Sequence, residues 1–509
     1  MNLLKIKSLH RIAVLGLILI LGFYSANAQN TPELLTLDKA LQYAETGSPD
    51  IQQSKLNIER VQKTLEAQRD ALKSRLSLQA NPMSFSRNRR FDNRFNDWYT
   101  SQNFTTSTQF TISQPILLTD GTISLNNQLG WQRSASNASG GAFVPNEVFY
   151  NNLYLSLDQP LFTYNKLSMQ LKQLELNYEN ANISYALQRL NMEKNVTQQF
   201  YNVYMMQENL TIAKAELANT QANYDIVKNK ADAGLVAQEE LYQAELNLMQ
   251  SKSTVADRTV SYENAKDQLK LTLGMDLDTD FSIVNINLAT EKEVDVDLQK
   301  AIDNGLKNRM ELRQREIDIQ NSEFTMIQTK AQNEFNGDVS VRLGITGDDP
   351  NLGLIYSKNN RVTNPSISLS FNIPIFDWGE KKARIAAQEA SMKSVKIDYD
   401  QEQKNIVIAI REAVRSLQSQ WSQIQIADQN QKNAQLTYDI SNERYRNGDI
   451  TGMDLNLQQQ QLSNAKISYA QAQINYKIDL LNLKIQALYD FETNIPVVPA
   501  DLYLNNNKN

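Results

Sequence analysis

The sequence predicts a mixed α and β protein: a trimeric transmembrane β-barrel of about four strands per chain, continued by a long antiparallel α-helical coiled-coil tunnel, with an internal two-fold repeat. Three observations carry that expectation. Two halves of the chain echo each other, each half holds a proline-free stretch long enough for a helix of roughly 100 Å, and short segments of strict polar and apolar alternation precede each stretch.

The echo has a fixed offset. Ser156-Leu-Asp-Gln-Pro-Leu-Phe162 reappears as Ser370-Phe-Asn-Ile-Pro-Ile-Phe376, and Tyr224-Asp-Ile as Tyr438-Asp-Ile, both 214 residues on. Gly234 and Gly448, and Leu241 and Leu455, keep that spacing, whereas Ala40 pairs with Ala301 at 261. The first half therefore holds about 47 extra residues between Leu76 and Leu153, as a duplication with one insertion would leave.

The expected order along the chain is as follows. A signal peptide occupies 1–28: Lys5, Lys7 and Arg11 precede the apolar run Ile12 to Gly22, which is too short to span a bilayer and ends in Ala26-Asn27-Ala28. A first repeat covers 29–273, with strands at about 76–160 including the insertion, a long helix at about 165–230 and a return helix at about 239–273. An inter-repeat equatorial link at 274–296 carries the run Phe281-Ser-Ile-Val-Asn-Ile-Asn-Leu288. A second repeat covers 297–489, with strands at about 338–376, a long helix at about 379–446 and a return helix at about 453–489. A C-terminal tail fills 490–509.

The helices show a seven-residue stripe. Val203, Leu210, Leu217, Tyr224 and Ala231, with Met206, Ala213, Thr220 and Val227, face a return stripe of Leu241, Leu248, Val255, Tyr262 and Leu269. Leu455, Leu462, Tyr469, Tyr476 and Leu483 repeat it in the second half, the pattern of antiparallel coils. A soluble bundle would show the same stripes, so the strands discriminate. Val339, Val341, Leu343 and Ile345 alternate with polar neighbours, as do Ile367, Leu369, Phe371 and Ile373; Leu153, Leu155 and Leu157; and Ile123, Leu125, Leu129 and Trp131. One greasy and one wet face is what lipid and a pore lumen require. The aromatics Phe162, Tyr164, Phe376 and Trp378 follow the strands, where a membrane-interface girdle would sit. Four strands cannot close a barrel alone, so copies must assemble, and three give twelve. Alternation around Thr105 to Ile116 and Leu76 to Ala80 leaves room for a further hairpin in the insertion.

Composition excludes much else. The chain has 509 residues, no Cys and one His, His10, which lies in the expected leader. Histidine triads, thiol chemistry, Cys/His zinc sites and His-ligated haem are thereby excluded from the mature chain, and no cofactor or metal is expected. Losing Lys5, Lys7 and Arg11 and no acid moves the formal charge from −6 to −9, which disfavours nucleic acid. The reading is not an enzyme.

Leu35-Thr-Leu-Asp-Lys-Ala-Leu41, Ser48-Pro-Asp-Ile51, Gln159-Pro-Leu-Phe162, Ile373-Pro-Ile-Phe376-Asp-Trp-Gly379 and Arg444-Tyr-Arg-Asn-Gly448 before Asp454-Leu455 resemble the TolC-type outer membrane efflux protein family over essentially the whole mature chain. The resemblance implies a homotrimer in the outer membrane of a Gram-negative cell, extending into the periplasm. It also implies a periplasmic adaptor (membrane fusion protein) and an inner-membrane pump as partners, with outer membrane lipid around the barrel. By motif position, Asp454 matches an entrance carboxylate, and Glu240 with Tyr445 matches a pair that latches neighbouring coils. Leu457 stands where a second entrance carboxylate is expected, and Ile450 where a latch arginine is. The turns at Gly234 and Gly448, flanked by Ala233, Leu235, Arg446 and Ile450, correspond to adaptor-docking tips. The implied function is the passive exit duct of a tripartite efflux or type I secretion system. A secreted periplasmic coiled-coil scaffold without a pore is the alternative from another class. A carboxylate hydrolase is a third, without a cleft-forming constellation to host it.

Overall fold

The computed structural model describes residues 33–94, 96–138, 142–284 and 292–497. The expected leader, part of the equatorial link (with the end of the Phe281 to Leu288 run) and the last residues of the tail lie outside the described residues. In chain order the elements are β1 (Glu33–Leu35), α1 (Leu37–Gly47), α2 (Pro49–Ala71), β2 (Arg75–Asp92), β3 (Asp97–Ile116), β4 (Gly121–Ala138), β5 (Val144–Leu161), α3 (Lys166–Asp232), α4 (Gln238–Leu273) and β6 (Phe281–Ile283). They continue with α5 (Leu298–Asn308), α6 (Met310–Ala331), β7 (Asn336–Asp349), β8 (Arg361–Asn372), α7 (Glu380–Asn447), α8 (Gly452–Ala487), β9 (Tyr489–Asp490) and β10 (Ile495–Pro496). Among the described residues no helix is long and apolar enough to cross a membrane.

The chain divides into two compact units. One comprises Met1–Gln53, Leu187–Gly305 and Ile408–Val498 and is helical but for two small sheets. A hydrophobic core cluster in it gathers Val196, Phe200, Val203, Leu269, Leu273, Phe281, Leu35, Ala40 and Ala44. Ala40 and Ala44 are one turn apart on α1, whose start is fixed by Lys39 N donating to Thr36 Oγ1 at 3.3 Å. β1 pairs in parallel with β6, Leu35 opposite Ile283. α1 and α4 end backbone to backbone: a Cβ on Gly47 would meet the Leu273 carbonyl, and one on Gly274 would meet the carbonyl of Gly47. Val203, Leu210, Ala213, Thr220, Val227 and Ala231 are buried along α3, as are Leu248 and Leu269 on α4 and Leu455, Leu462, Tyr476 and Leu483 on α8. Tyr476 is wholly buried, and its hydroxyl accepts a bond from Val294 N at 3.1 Å, which satisfies the phenol inside the core.

The other unit comprises Ser54–Ala186, Leu306–Val407 and Pro499–Asn509. It is built on one antiparallel sheet of order β2-β3-β4-β5-β7-β8. The expected four strands per chain are thus corrected to six. The insertion of about 47 residues supplies a whole hairpin that the duplicated pattern did not count, and the first-half strands run 18, 20, 18 and 18 residues against 14 and 12 in the second half. Pro82 and Pro365 lie in the two edge strands, where a missing amide breaks no bond within the sheet. Pro82 sits at a bulge between Asn81 and Ser84. Among the helices of this unit, Arg313 clamps Glu179 at 2.6 Å and Glu316 at 2.9 Å.

Phe200→Ala opens a cavity in the hydrophobic core cluster, where Phe200 is 1% exposed. We expect a loss of about 3–5 kcal/mol, read as a lower thermal midpoint by circular dichroism of the detergent-solubilised protein. Lys214→Ala, on the exposed side of the same helix, should stay within about 0.5 kcal/mol of the parent.

Candidate functional site: coil tips and a two-faced sheet

Both long helices end in the same way. Gly234 (φ +73°) donates to Ala231 O at 2.9 Å while Leu235 N donates to Lys230 O at 2.8 Å. Gly448 (φ +85°) donates to Tyr445 O at 3.0 Å while Asp449 N donates to Arg444 O at 2.9 Å. These are Schellman closures, which need a left-handed residue after the helix. A Cβ at either glycine would meet nothing within 4 Å, so conformation alone selects glycine. Ala233, Leu235 and Arg446 are exposed and Ile450 is half-buried. Arg446 pairs with Glu443 at 3.2 Å on its own helix.

Asp454 is exposed but engaged. One carboxylate oxygen accepts from Thr451 N at 3.1 Å and from Thr451 Oγ1 at 2.8 Å, and Asp454 N donates to Thr451 Oγ1 at 3.2 Å, a complete capping box on α8. The Thr451 bonds, side chain first, hold its pKa below the ordinary carboxylate value. Glu240 is an exposed acid in the first turn of α4. Burial, then the Glu240 charge, pushes the Tyr445 phenol upward, and Lys230 Nζ lies 5.7 Å from that ring. No hydrogen bond joins Glu240 to Tyr445 among the described residues.

Behind the tips lies a pocket of about 170 Å³ lined by Asn219, Asn223, Tyr438, Tyr445, Arg446 and Gln459 among others. Asn223 Oδ1 is buried there without a partner, while Gln459 Nε2 donates to Glu216 O at 3.3 Å. Polar amides therefore replace aliphatic packing close to the tips. Sequence reasoning missed this seam, and it missed a second apolar stripe: Tyr242, Leu246 and Met249 on α4, Leu436 and Ile440 on α7, and Met453 and Leu457 on α8 are all exposed. Their i, i+4, i+7 spacing was readable, but which stripe faces the chain's own core was not.

The sheet register sorts its residues into two faces. Leu76 and Leu78, Phe110 and Ile112, Ile123 and Leu125, Leu153 to Leu157 by twos, Val339 to Ile345 by twos, and Ile367 and Leu369 share one face. The other carries Gln109, Thr111, Asn126, Gln128, Asn152, Ser156, Asp158, Ser340, Thr346, Ser368 and Asn364. That second face is knitted across strands: Thr111 Oγ1 donates to Asn126 at 2.8 Å, Ser340 Oγ to Asp158 at 2.6 Å and Asn364 to Thr346 at 3.0 Å. In the central strands β4 and β5 burial is inverted relative to a water-soluble sheet. Leu153 and Leu155 are 39% and 45% exposed while Ser156 and Asn126 are 5% and 7% exposed. Asn151, donating to Asn127 Oδ1 at 2.6 Å, places a hydrogen-bonded polar pair on the apolar face.

Aromatic residues bracket the apolar face. At the helix-side end Phe162 packs on Phe335 (5.1 Å between centroids), Phe335 stacks on Phe371 (5.6 Å), and Phe376 meets Trp378 edge-on (4.7 Å). Phe162 and Trp378 have φ of +58° and +55°, which is strained for bulky residues; both remain exposed, and Tyr164 is half-buried. Toward the other end, Phe85, Phe104, Trp131 and Phe149 stand on the apolar face, with Phe104 and Trp131 5.7 Å apart. Ile123 to Trp131 and Leu161 to Phe149 correspond to roughly 25–40 Å along a strand. Of this second row the sequence reading named only Trp131; Phe85 was hidden because the bulge at Pro82 shifts the parity of β2, whereas Phe104 and Phe149 keep the parity of their strands and were readable.

No cluster of three or more His, Cys, Asp or Glu able to hold a metal ion occurs among the described residues. What the geometry offers is surface: a sheet with an exposed apolar face, and paired helix ends. A family profile described as outer membrane efflux protein matches residues 122–275 and 301–485, and the chain belongs to that family. Its fold is similar to that of the CmeC outer membrane channel of Campylobacter jejuni (16% identity, 91% of this chain and 87% of that one, TM-score 0.68). It is also similar to CusC (15%, 91% and 95%, 0.65) and to the open state of the MtrE outer membrane channel of Neisseria gonorrhoeae (16%, 89% and 88%, 0.63). Among curated proteins none matches the sequence significantly.

The capping box makes the start of α8 acid-sensitive. Asp454 has a depressed pKa, so its contribution is full above the ordinary carboxylate value and fades as pH falls through the depressed one. Amide exchange at Thr451, corrected for its intrinsic pH dependence, should accelerate in that acidic window, and Asp454→Asn should remove the pH dependence. Gly448→Ala forces a left-handed alanine at about 1 kcal/mol. It should raise exchange of the Gly448 and Asp449 positions about fivefold.

Proposed function

We propose that the protein is the outer-membrane exit duct of a tripartite efflux or type I secretion system, a passive channel whose driving force comes from an inner-membrane pump. The observation that carries this is the inverted burial of the sheet: the greasy face is the open one. In lipid that face is covered, and the hydrogen-bonded polar face lines a lumen. The aromatic rows at both ends of it suit the two interfaces of a bilayer.

Three copies would complete the barrel. Each protomer brings an even number of antiparallel strands, so β8 of one copy meets β2 of the next antiparallel, and six strands each give eighteen. A barrel of ~18 strands leaves an aqueous channel. The matching Schellman ends at Gly234 and Gly448 then belong to two arms of a duplicated unit. Six such tips would meet a periplasmic adaptor through Ala233, Leu235, Arg446 and Ile450, with the exposed stripes of α4, α7 and α8 packing between coils. The partnerless Asn223 Oδ1 and the polar pocket behind Tyr445 lower the cost of parting the coils. Glu240 and Tyr445 act as the latch, and Asp454, ionised at neutral pH, forms a ring favouring cations.

Leu155→Arg puts a charge on the lipid face at a cost of about 2–4 kcal/mol near the bilayer midplane, so folded protein in outer-membrane extracts should fall sharply. Ser156→Arg, on the other face, should insert normally and change single-channel conductance in planar bilayers. Equal tolerance of both, with the protein recovered from the aqueous fraction, would select the pore-free scaffold instead.

Because the chain has no cysteine, introduced pairs report cleanly. A Cys at Ser77 on β2, tested against one each at Ser366, Ser368 and Ser370 on β8, should yield a disulfide-linked trimer on non-reducing gels for at least one pair. A ladder that stops at monomer for every pair rejects the closure.

A further inference from the structure

The β2–β3 hairpin continues past the second aromatic row. Along β2 the apolar face runs Phe85, Arg87, Arg89, Phe91, opposite Phe104, Gln102, Thr100 and Trp98 of β3. Arg87 and Arg89 are thus roughly 7 and 13 Å beyond Phe85 on the same face. Arg89 lies over the Trp98 ring at 4.8 Å, and Phe91 meets that ring edge-on at 5.5 Å, so one guanidinium is seated on an aromatic pair. Arg90 stacks on Tyr99 on the opposite face at 5.7 Å, and Arg94 is in the turn.

Four arginines within eight residues in a chain of net charge −6 form a concentrated cationic patch. The nearby acids offset two of the four charges but bond to backbone amides rather than to the guanidinium groups. Asp92 accepts from Arg94 N at 2.9 Å and Asp97 from Trp98 N at 2.7 Å, both holding the turn. No ion pair involves Arg87, Arg89, Arg90 or Arg94 among the described residues. By contrast Arg133, on the same face beside Phe104, is paired with Glu147 at 3.3 Å. We propose that Arg87 and Arg89 bind the phosphate groups of a phosphorylated glycolipid in the outer leaflet, just above the aromatic row. The inference rests on the apolar face meeting lipid. Arginine suits it because its fork takes phosphate oxygens two at a time, while the aromatic row fixes the depth at which the headgroup meets it.

The test uses full-length protein reconstituted in nanodiscs and titrated with a diphosphorylated glucosamine-disaccharide lipid, its dephosphorylated form, and inorganic phosphate. Lipid retention is read by native mass spectrometry. Wild type should retain the diphosphorylated lipid over the dephosphorylated one, and millimolar phosphate should not displace it. Arg87→Gln with Arg89→Gln should weaken retention about tenfold or more, Arg87→Lys with Arg89→Lys only a few-fold, and Arg90→Gln with Arg94→Gln not at all. Equal retention of both lipids by wild type, or unchanged retention in the glutamine pair, overturns the proposal, as does displacement by free phosphate. Should the glutamine pair fail to fold, the lysine pair and the two-lipid comparison decide alone. Failure of the underlying reading looks different: wild type would not enter nanodiscs at all.

Discussion

Unpaired backbone at the two sheet edges is the constraint from which the rest of the structure follows. β2 and β8 each present a row of amides and carbonyls with a partner on one side only. A water-soluble sheet with such edges, and with leucines more exposed than serines, would invite uncontrolled pairing. Within lipid the demand is stricter, since every unsatisfied backbone group there costs several kcal/mol. On the proposed reading, closure onto further copies would satisfy both edges and hide the apolar face in the same step. It would leave the cross-strand network of Thr111, Asn126, Ser340 and Asp158 facing water, where its remaining lone pairs are solvated.

The helical unit answers a related demand in another way. A coil seam of Val203, Leu210, Leu269, Leu462 and Leu483 is buried within one chain, while Tyr242, Leu246, Met249, Leu436 and Ile440 form a second seam on the outside. Coils with two apolar stripes suit a wall in which each has two neighbours, one of them from another protomer. Near the tips the inner seam becomes polar at Asn219, Asn223 and Gln459. Packing that is firm around Phe200 and polar beside Tyr445 would confine the proposed separation to one end of the coils.

Much of this was legible in the sequence, for identifiable reasons. The coil stripe follows from a seven-residue period, and strand faces from alternation at Leu153 to Leu157 and Val339 to Ile345. Tip glycines stand where long proline-free helices stop. The strand count was not legible, because the repeat sets an expectation from the shorter half, and because Pro82 and its bulge shift the parity of β2 midway. Asp454 shows a subtler limit. A threonine three residues before an acid is a capping signature, and Thr451 was present to be read, yet motif position alone pointed only to a gate. Both roles use the ionised form, so the sequence does not separate them, while the bonds to Thr451 establish the capping role.

Unequal strand lengths connect the closure to the outer surface. Pairing β8 to a neighbouring β2 from their helix-side ends engages the 12 residues of β8 and runs out near Ser86 of the 18-residue β2. What remains of β2 is the segment from Arg87 onward, paired to β3 but bare on its other edge. Its residues are the arginines stacked on Trp98 and Tyr99, whose charge repels further strands and keeps the bare edge solvated. A neutral, β-branched sequence there would extend the sheet to another chain. In the proposed trimer the cationic hairpin would therefore end the pairing where β8 ends, and would present to the headgroup layer the guanidinium groups that strand pairing leaves open.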